Sequence, residues 1–201
     1  MYAPEFNHND VELISRETAF KGFFSLDRLV VKHRLYQGGW SQPFTRELFC
    51  RGQAAGVLLH DPARGQVVMV EQFRVGLLDD PAQSPWALEL VAGMLDVDES
   101  PETMAMREIH EETGLTVTNL QLICEYYNSP GGSDERISVY YGQVDASLAG
   151  GIHGLAEEHE DIKVIVMPVA DAVAAIARGK INNAMAIIAL QWLQLHHAND
   201  S

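Results

Sequence analysis

The stretch Gly93–Leu115, GMLDVDESPETMAMREIHEETGL, decides how the rest of the chain is read. Ser100 has the side chain of an N-cap, and Pro101 suits the first helical position, where its missing N–H costs nothing. Gly114 suits a left-handed C-cap. The spacing therefore predicts a helix over Pro101 to Thr113. At about 100° per residue, Glu108, Glu111 and Glu112 fall on one arc, with Arg107 beside it and one helical turn before Glu111. Ala105, Met106 and Ile109 fall on the neighbouring arc and are expected to face the core. That would put the carboxylates at the edge of the buried face, where water screens them less. Like charges at this spacing oppose helix formation, so they call for a counter-charge. Taken alone, they fit either a solvated acidic helix with Arg107 pairing locally, or a cradle for hard divalent cations. Such ions take oxygen ligands and bridge to phosphates.

Outward from this helix the composition is that of a folded domain. The chain has 201 residues, 47% of them hydrophobic, which is enough for one full core. A formal net charge of −14 excludes broad binding to a nucleic-acid backbone, which needs a basic face. A small anionic substrate stays compatible if metal ions and local arginines offset the charge. The opening residues MYAPEFNHND contain no apolar h-region, so no secretory signal is expected. The apolar run AMAIIALQWL is too short to cross a bilayer. Cys50 and Cys124 have no metal-binding spacing and read as two buried thiols of a reducing cytoplasm.

The first half of the chain reads as strands. VELISRETAF, LVVKHRLY and FTRELF are extended candidates, the last two separated by the turn QGGWSQP. AAGVLLH, DPARG and QVVMVEQF form strand, turn and strand. Further strands are expected at WALEL, LQLICEYY, ISVYYGQV and IKVIVM. Two more helices are expected, one from Val169 to about Arg178 stopped by Gly179, and one from Asn182 or Asn183 to about His196. The loops NSPGGSDER and AGGIHGLAEEHED are rich in glycine, and the second turns acidic. Residues 1–50 are expected to form an N-terminal antiparallel strand layer ahead of a domain over 51–201.

The full spacing of the opening stretch resembles the Nudix box at every defined position. Gly93 is followed after five residues by Glu99, and seven residues later come Arg107-Glu108-Ile109, then Glu111-Glu112, then Gly114-Leu115. The resemblance implies an α/β (α+β) Nudix fold, a mixed sheet sandwiched between helices, with the box forming loop, helix and loop. It implies hydrolysis of a nucleoside diphosphate linked to another group, using Mg²⁺ or Mn²⁺. It makes Glu108 and Glu112 metal ligands, with the Ala92 carbonyl as a further ligand. Glu99 and Glu111 support or complete the site, and Arg107 orients the carboxylates.

The flanks carry the resemblance further. Pro130 lies about fifteen residues past the box, and KGFFSLD, EQFR, ELVAGM, SPGGSDER, GIHGLAEEHEDI and ALQWLQLHH are similar to segments of the ADP-ribose pyrophosphatase subgroup. The likeness runs from roughly Asp10 to His197. It implies that Phe23 stacks on adenine, within a homodimer built through the N-terminal strands that can share its sites across the two subunits. It implies that Arg46 and Arg74 contact phosphates or the terminal ribose, that Glu89 and Met94 line the site, and that Glu135 acts near the metals or substrate. In LAEEHED, Glu158 would be the base that deprotonates the attacking water, with Glu160 the next candidate and a metal role open to Glu158. A glycine-bordered acidic loop of this kind can act as a lid. Read without the resemblance, Phe23 suits a core, Arg46 a solvent face, Arg74 a strand edge and residues 157–161 a solvated loop. His153 and His159 read as loop residues, because hard-metal sites favour oxygen. Expected partners are a nucleotide sugar and a second copy of the chain, with no nucleic acid or membrane. The alternatives are a Nudix hydrolase of GDP-mannose or a UDP-sugar, and a catalytically silent ADP-ribose sensor.

Overall fold

The computed structural model describes residues 1–197. The chain forms two compact units, one of residues 1–52 with 127–135, the other of residues 53–126 with the chain from Arg136 onward.

The first unit is built on a three-stranded antiparallel sheet of β1 (Val11–Lys21), β2 (Ser25–His33) and β3 (Phe44–Cys50), in the order β1-β2-β3. Two register shifts interrupt β1, between Leu13 and Ser15 and between Thr18 and Phe20. Between the sheet strands the buried Asp27 accepts from Arg16 Nε at 2.5 Å and Thr18 Oγ1 at 2.9 Å. These bonds, Arg16 first, hold its carboxyl below the usual range against the effect of burial. Every residue of β1 is exposed, Leu13, Ile14 and Phe20 included. The unit also takes in the loop 127–135, which lies within the stretch 51–201. Asp134 Oδ1 accepts the backbone N–H of Arg51 at 2.7 Å and of Gly52 at 3.2 Å, which ties that loop to the end of the β3 segment.

The second unit is a mixed eight-stranded sheet between helices. After β4 (Gln53–Asp61) come β5 (Gln66–Phe73), β6 (Trp86–Glu89), β7 (Val91–Met94), α1 (Pro101–Thr113), β8 (Leu120–Tyr127), β9 (Arg136–Gln143), β10 (Ile152–His153), β11 (Ile162–Pro168), α2 (Val169–Ala177) and α3 (Ala184–His197). The main order is β10-β11-β5-β4-β9-β8, with β4 and β9 parallel. Strand alternation sorts the core onto two faces. Val57, Leu59, Val68 and Val70 join Met104, Ala105 and Ile109 of α1. Leu58, Val67 and Met69 join Ala172 of α2 and Ala186, Ala189 and Leu190 of α3.

What positions the site is a fork in this sheet. β4 pairs with β5 only from Leu59 to Asp61, and its first half, Ala54 to Val57, pairs instead with β7. The far half of β5, Val70 to Phe73, pairs with β6. The sequence reading missed β7 because Ala92 and Gly93 have little strand propensity. Pairing with β4 makes them a strand. It also missed the two-residue β10.

Helix α1 has the predicted bounds and caps. Ser100 Oγ accepts from Thr103 N–H at 3.1 Å, and the Gly114 N–H, at φ 69°, donates to the His110 carbonyl. Its orientation corrects the expected core. Met106 is 44% exposed, and Met104, at 0%, takes its place beside Ala105 and Ile109. The buried arc is thus centred near Glu112 rather than beside it, and Glu112 is 1% exposed. Cys50 and Cys124 are free thiols, half-buried rather than fully buried.

Candidate active site

Glu112 reaches from the middle of the buried face of α1 to the backbone of β7, where Oε2 accepts the Ala92 N–H at 3.3 Å. One turn earlier, Glu108 lies against Gly93. A Cβ at residue 93 would fall 2.0 Å from Glu108 Oε1, so only glycine lets this carboxylate reach the strand. Burial, then the charge of Glu108 and that of Glu160, push the Glu112 carboxyl up to about 8, against the Ala92 N–H and the Arg74 guanidinium. Burial also raises Glu108, with Arg107 pulling the other way.

Arg107 is the counter-charge of the cluster. Its Nη1 bonds Glu108 Oε1 and Glu111 Oε2, each at 2.9 Å. Its Nε and Nη2 bond the two oxygens of Glu99 at 3.3 and 3.2 Å. Arg107, first among the causes, holds the Glu99 carboxyl below its usual range. One guanidinium thus spreads three carboxylates around its edge. Among the described residues no three potential ligands converge closely enough to hold an ion in this arrangement. The donor chemistry nevertheless fits a hard cation. All the groups are oxygens, and Glu112 is a buried carboxylate with a single neutral donor and a raised pKa, short of positive charge.

The edge of this site in β5 and β6 is a second ion pair. Arg74 Nε bonds Glu89 Oε2 at 2.7 Å, and Glu89 stands opposite Val70. Met94 is half-buried in β7, opposite Ala54.

The acidic loop contributes one carboxylate that the box feels. Glu160 is half-buried, its Oε2 accepts the Leu155 N–H at 3.2 Å, and its charge raises both Glu108 and Glu112. Gly154, at φ 98°, makes room for it, since a Cβ there would meet Glu160 Cβ at 2.7 Å. Glu158 sits on the exposed short turn Ala156–Glu158 before His159, which adopts a left-handed φ of 58°. His153 lies in β10 rather than in a loop, and its Nε2 bonds the Gly150 carbonyl at 2.9 Å.

The remaining expected residues lie in the first unit. Phe23 is 90% exposed and meets Phe24 edge-on at 4.8 Å, so it is not core. Arg46 lies over the Phe44 ring at 4.5 Å, and its Nη1 bonds the Thr45 carbonyl at 2.9 Å. Glu135 is buried and doubly held, by Arg51 Nε at 2.6 Å and Asn128 Nδ2 at 2.8 Å. The sequence reading named neither Arg51 nor Asn128. Only long-range pairing reveals Arg51, which lies far from Glu135 along the chain, whereas Asn128 stands in the same loop as Glu135.

The family model described as NUDIX domain matches residues 51–190. The chain is 50% identical over 192 residues to the ADP-ribose pyrophosphatase of Escherichia coli (strain K12), covering 96% of this chain and 91% of that protein. It is 47% identical over 195 residues to the protein of the same name from Haemophilus influenzae, covering 96% and 90%. A GDP-mannose pyrophosphatase of Pectobacterium atrosepticum is 33% identical over 181 residues, covering 90% and 92%. Among solved structures, an ADP compounds hydrolase shares the fold with a TM-score of 0.70 at 16% identity, over 96% of this chain and 97% of that one.

Proposed function

The chain belongs to the NUDIX domain family, and on that premise we propose that it hydrolyses the pyrophosphate of ADP-ribose, with Mg²⁺, to AMP and ribose 5-phosphate. The observation that carries the chemistry is the buried Glu112 beside Glu108, two carboxylates packed against β7 with too little positive charge. The substrate is supported by the Escherichia coli and Haemophilus influenzae relatives, which match almost end to end.

Glu108, Glu112 and the Ala92 carbonyl would hold the ions, with Glu99 and Glu158 completing the set. When bound, the ions supply an acidified water and neutralise charge on the phosphate oxygens. Arg107 ties Glu99, just ahead of the helix, to Glu108 and Glu111 in its second half. Glu158 takes the proton of the attacking water, with Glu160 the competing base. The exposed turn of Glu158 suits a group that closes over the substrate, whereas Glu160 already stands within the field of the box. Arg74 and Arg46 bind phosphate or ribose oxygens, Glu89, Met94 and Glu135 line the substrate, and Phe23 offers an exposed ring for adenine. The exposed apolar residues of β1 support a homodimer, and light scattering at working concentration that gave a monomer would rule it out. The working place is the cytoplasm, in keeping with two free thiols.

GDP-mannose is the second reading, favoured by the Pectobacterium relative. Hydrolysis of ADP-ribose, GDP-mannose, UDP-glucose, NADH, diadenosine polyphosphate and ATP at equal concentration with Mg²⁺ separates the two. Preference for ADP-ribose with release of AMP is expected. Preference for another member discards the substrate and the role of Phe23. Binding of ADP-ribose with no turnover of any member indicates a sensor.

A further inference from the structure

One buried group of the second unit has no part in the chemistry above. Gln72 is 6% exposed, and its Nε2 finds no hydrogen-bond partner among the described residues. An unpaired amide donor under cover is costly, and most proteins avoid it. Its place in β5 shows what it faces. Val68 and Val70 point to the α1 side of the sheet, so Gln72, two residues on, points the same way. Gln72 stands opposite Ala87 and Val70 opposite Glu89, which makes Gln72 and Glu89 diagonal neighbours on that face. On its other side, the register that sets Lys163 opposite Glu71 brings Ile162, just past Glu160, next to Gln72. The face therefore passes from the valine core, through Gln72, to the Arg74–Glu89 pair, whose arginine Glu112 feels.

Glu89, the carboxylate diagonal to it, takes Arg74 instead. A neutral NH₂ beside that ion pair is suited to an anion that brings its own acceptors. We infer that Gln72 is a substrate-binding residue whose Nε2 donates to a non-bridging oxygen of the pyrophosphate, from the floor of the site between β6 and β11. This rests on the pyrophosphate reading above, but not on which sugar nucleotide is used, since all share that group. The donor adds orientation without a positive charge that would compete with the ions.

Gln72→Met keeps length and removes the donor. With ADP-ribose and Mg²⁺, kcat/KM is expected to fall by about tenfold to a hundredfold, the worth of a hydrogen bond to a charged group. The Tm should stay level or rise, because a buried unmet donor is gone. Affinity for the methylene-bridged analogue of ADP-ribose, measured by calorimetry, should fall by a similar factor. Unchanged kcat/KM and unchanged analogue binding, at any Tm, overturn the inference. Should Gln72→Met fail to fold, Gln72→Glu carries the test, with lost analogue binding at a native circular dichroism spectrum expected and retained binding overturning it. If the wild type cleaves a different sugar nucleotide, only the choice of substrate fails, and Gln72 is tested on that one and its methylene-bridged analogue. If it cleaves none, analogue binding alone decides the role of Gln72.

Discussion

Asp61 and Glu112 are equally buried in the same unit, at 2% and 1% exposure, and the fold treats them in opposite ways. Asp61, at the end of β4, accepts the Ala146 N–H at 2.9 Å, the Arg64 N–H at 3.1 Å and Arg64 Nη1 at 2.9 Å. Burial alone would raise its carboxyl, but these bonds outweigh it and hold the group below its usual range. Glu112 has one neutral donor and two carboxylates in its field, and rises to about 8. A buried carboxylate with its bonds complete ties a loop to a strand. One left incomplete at the centre of a helix face suits the cation seat proposed above. The difference separates structural from functional charge.

The largest effect should come from the incomplete member. Glu112→Gln is expected to lower kcat/KM by more than about 100-fold, beyond the loss typical of a group that only supports a metal ligand, while circular dichroism and Tm hold steady or improve. Unfolding instead would make Glu112 a structural group like Asp61 and collapse the distinction. Next come the loop carboxylates. Changing the base to glutamine should lower kcat by about 10²–10⁴ with little change in KM, and assays of Glu158→Gln and Glu160→Gln show which of the two it is.

The complete member should behave in reverse. Asp61→Asn is expected to cost about 1–3 kcal/mol of stability, read as a lower urea midpoint, with kcat per folded molecule unchanged. Lost turnover at full folding would blur the comparison. The smallest effect is on pH. Asp61 and Asp27 have folded pKa values below their unfolded ones, so the unfolded chain binds more protons as pH falls below the ordinary carboxylate range. Their stabilisation is present above that range and lost below it. The Tm of the wild type should therefore fall on acidification from about pH 4 to pH 2, below the range in which the raised Glu112 carboxyl acts in the opposite sense, and Asp61→Asn should flatten that slope. An unchanged slope would mean that other carboxylates set it.

The helix bounds were legible because Ser100, Pro101 and Gly114 act within a turn of their own positions. Which arc of the helix is buried was not, because that is set by β7 and the fork in the sheet rather than by local spacing. Hence Met104 is buried where Met106 was expected, and Glu112 lies at the centre of the buried face rather than at its edge. β7 itself is a product of pairing, with Ala92 and Gly93 extended only because β4 lies beside them. The Glu135 cluster depends on Arg51, brought there by a strand and a loop far apart in the chain. Gln72 lies in the run EQFR, from which the sequence reading singled out only Arg74. Only its burial without a partner sets it apart.

The cation seat proposed on α1 is centred on Glu112. Its most direct test is the Tm of metal-free wild type and Glu112→Gln as Mg²⁺ is added. A ligand that binds only the folded state stabilises it by about 2.7 kcal/mol at one hundred times its dissociation constant. The wild type should rise accordingly while Glu112→Gln stays flat. Equal rises in both proteins would contradict the account.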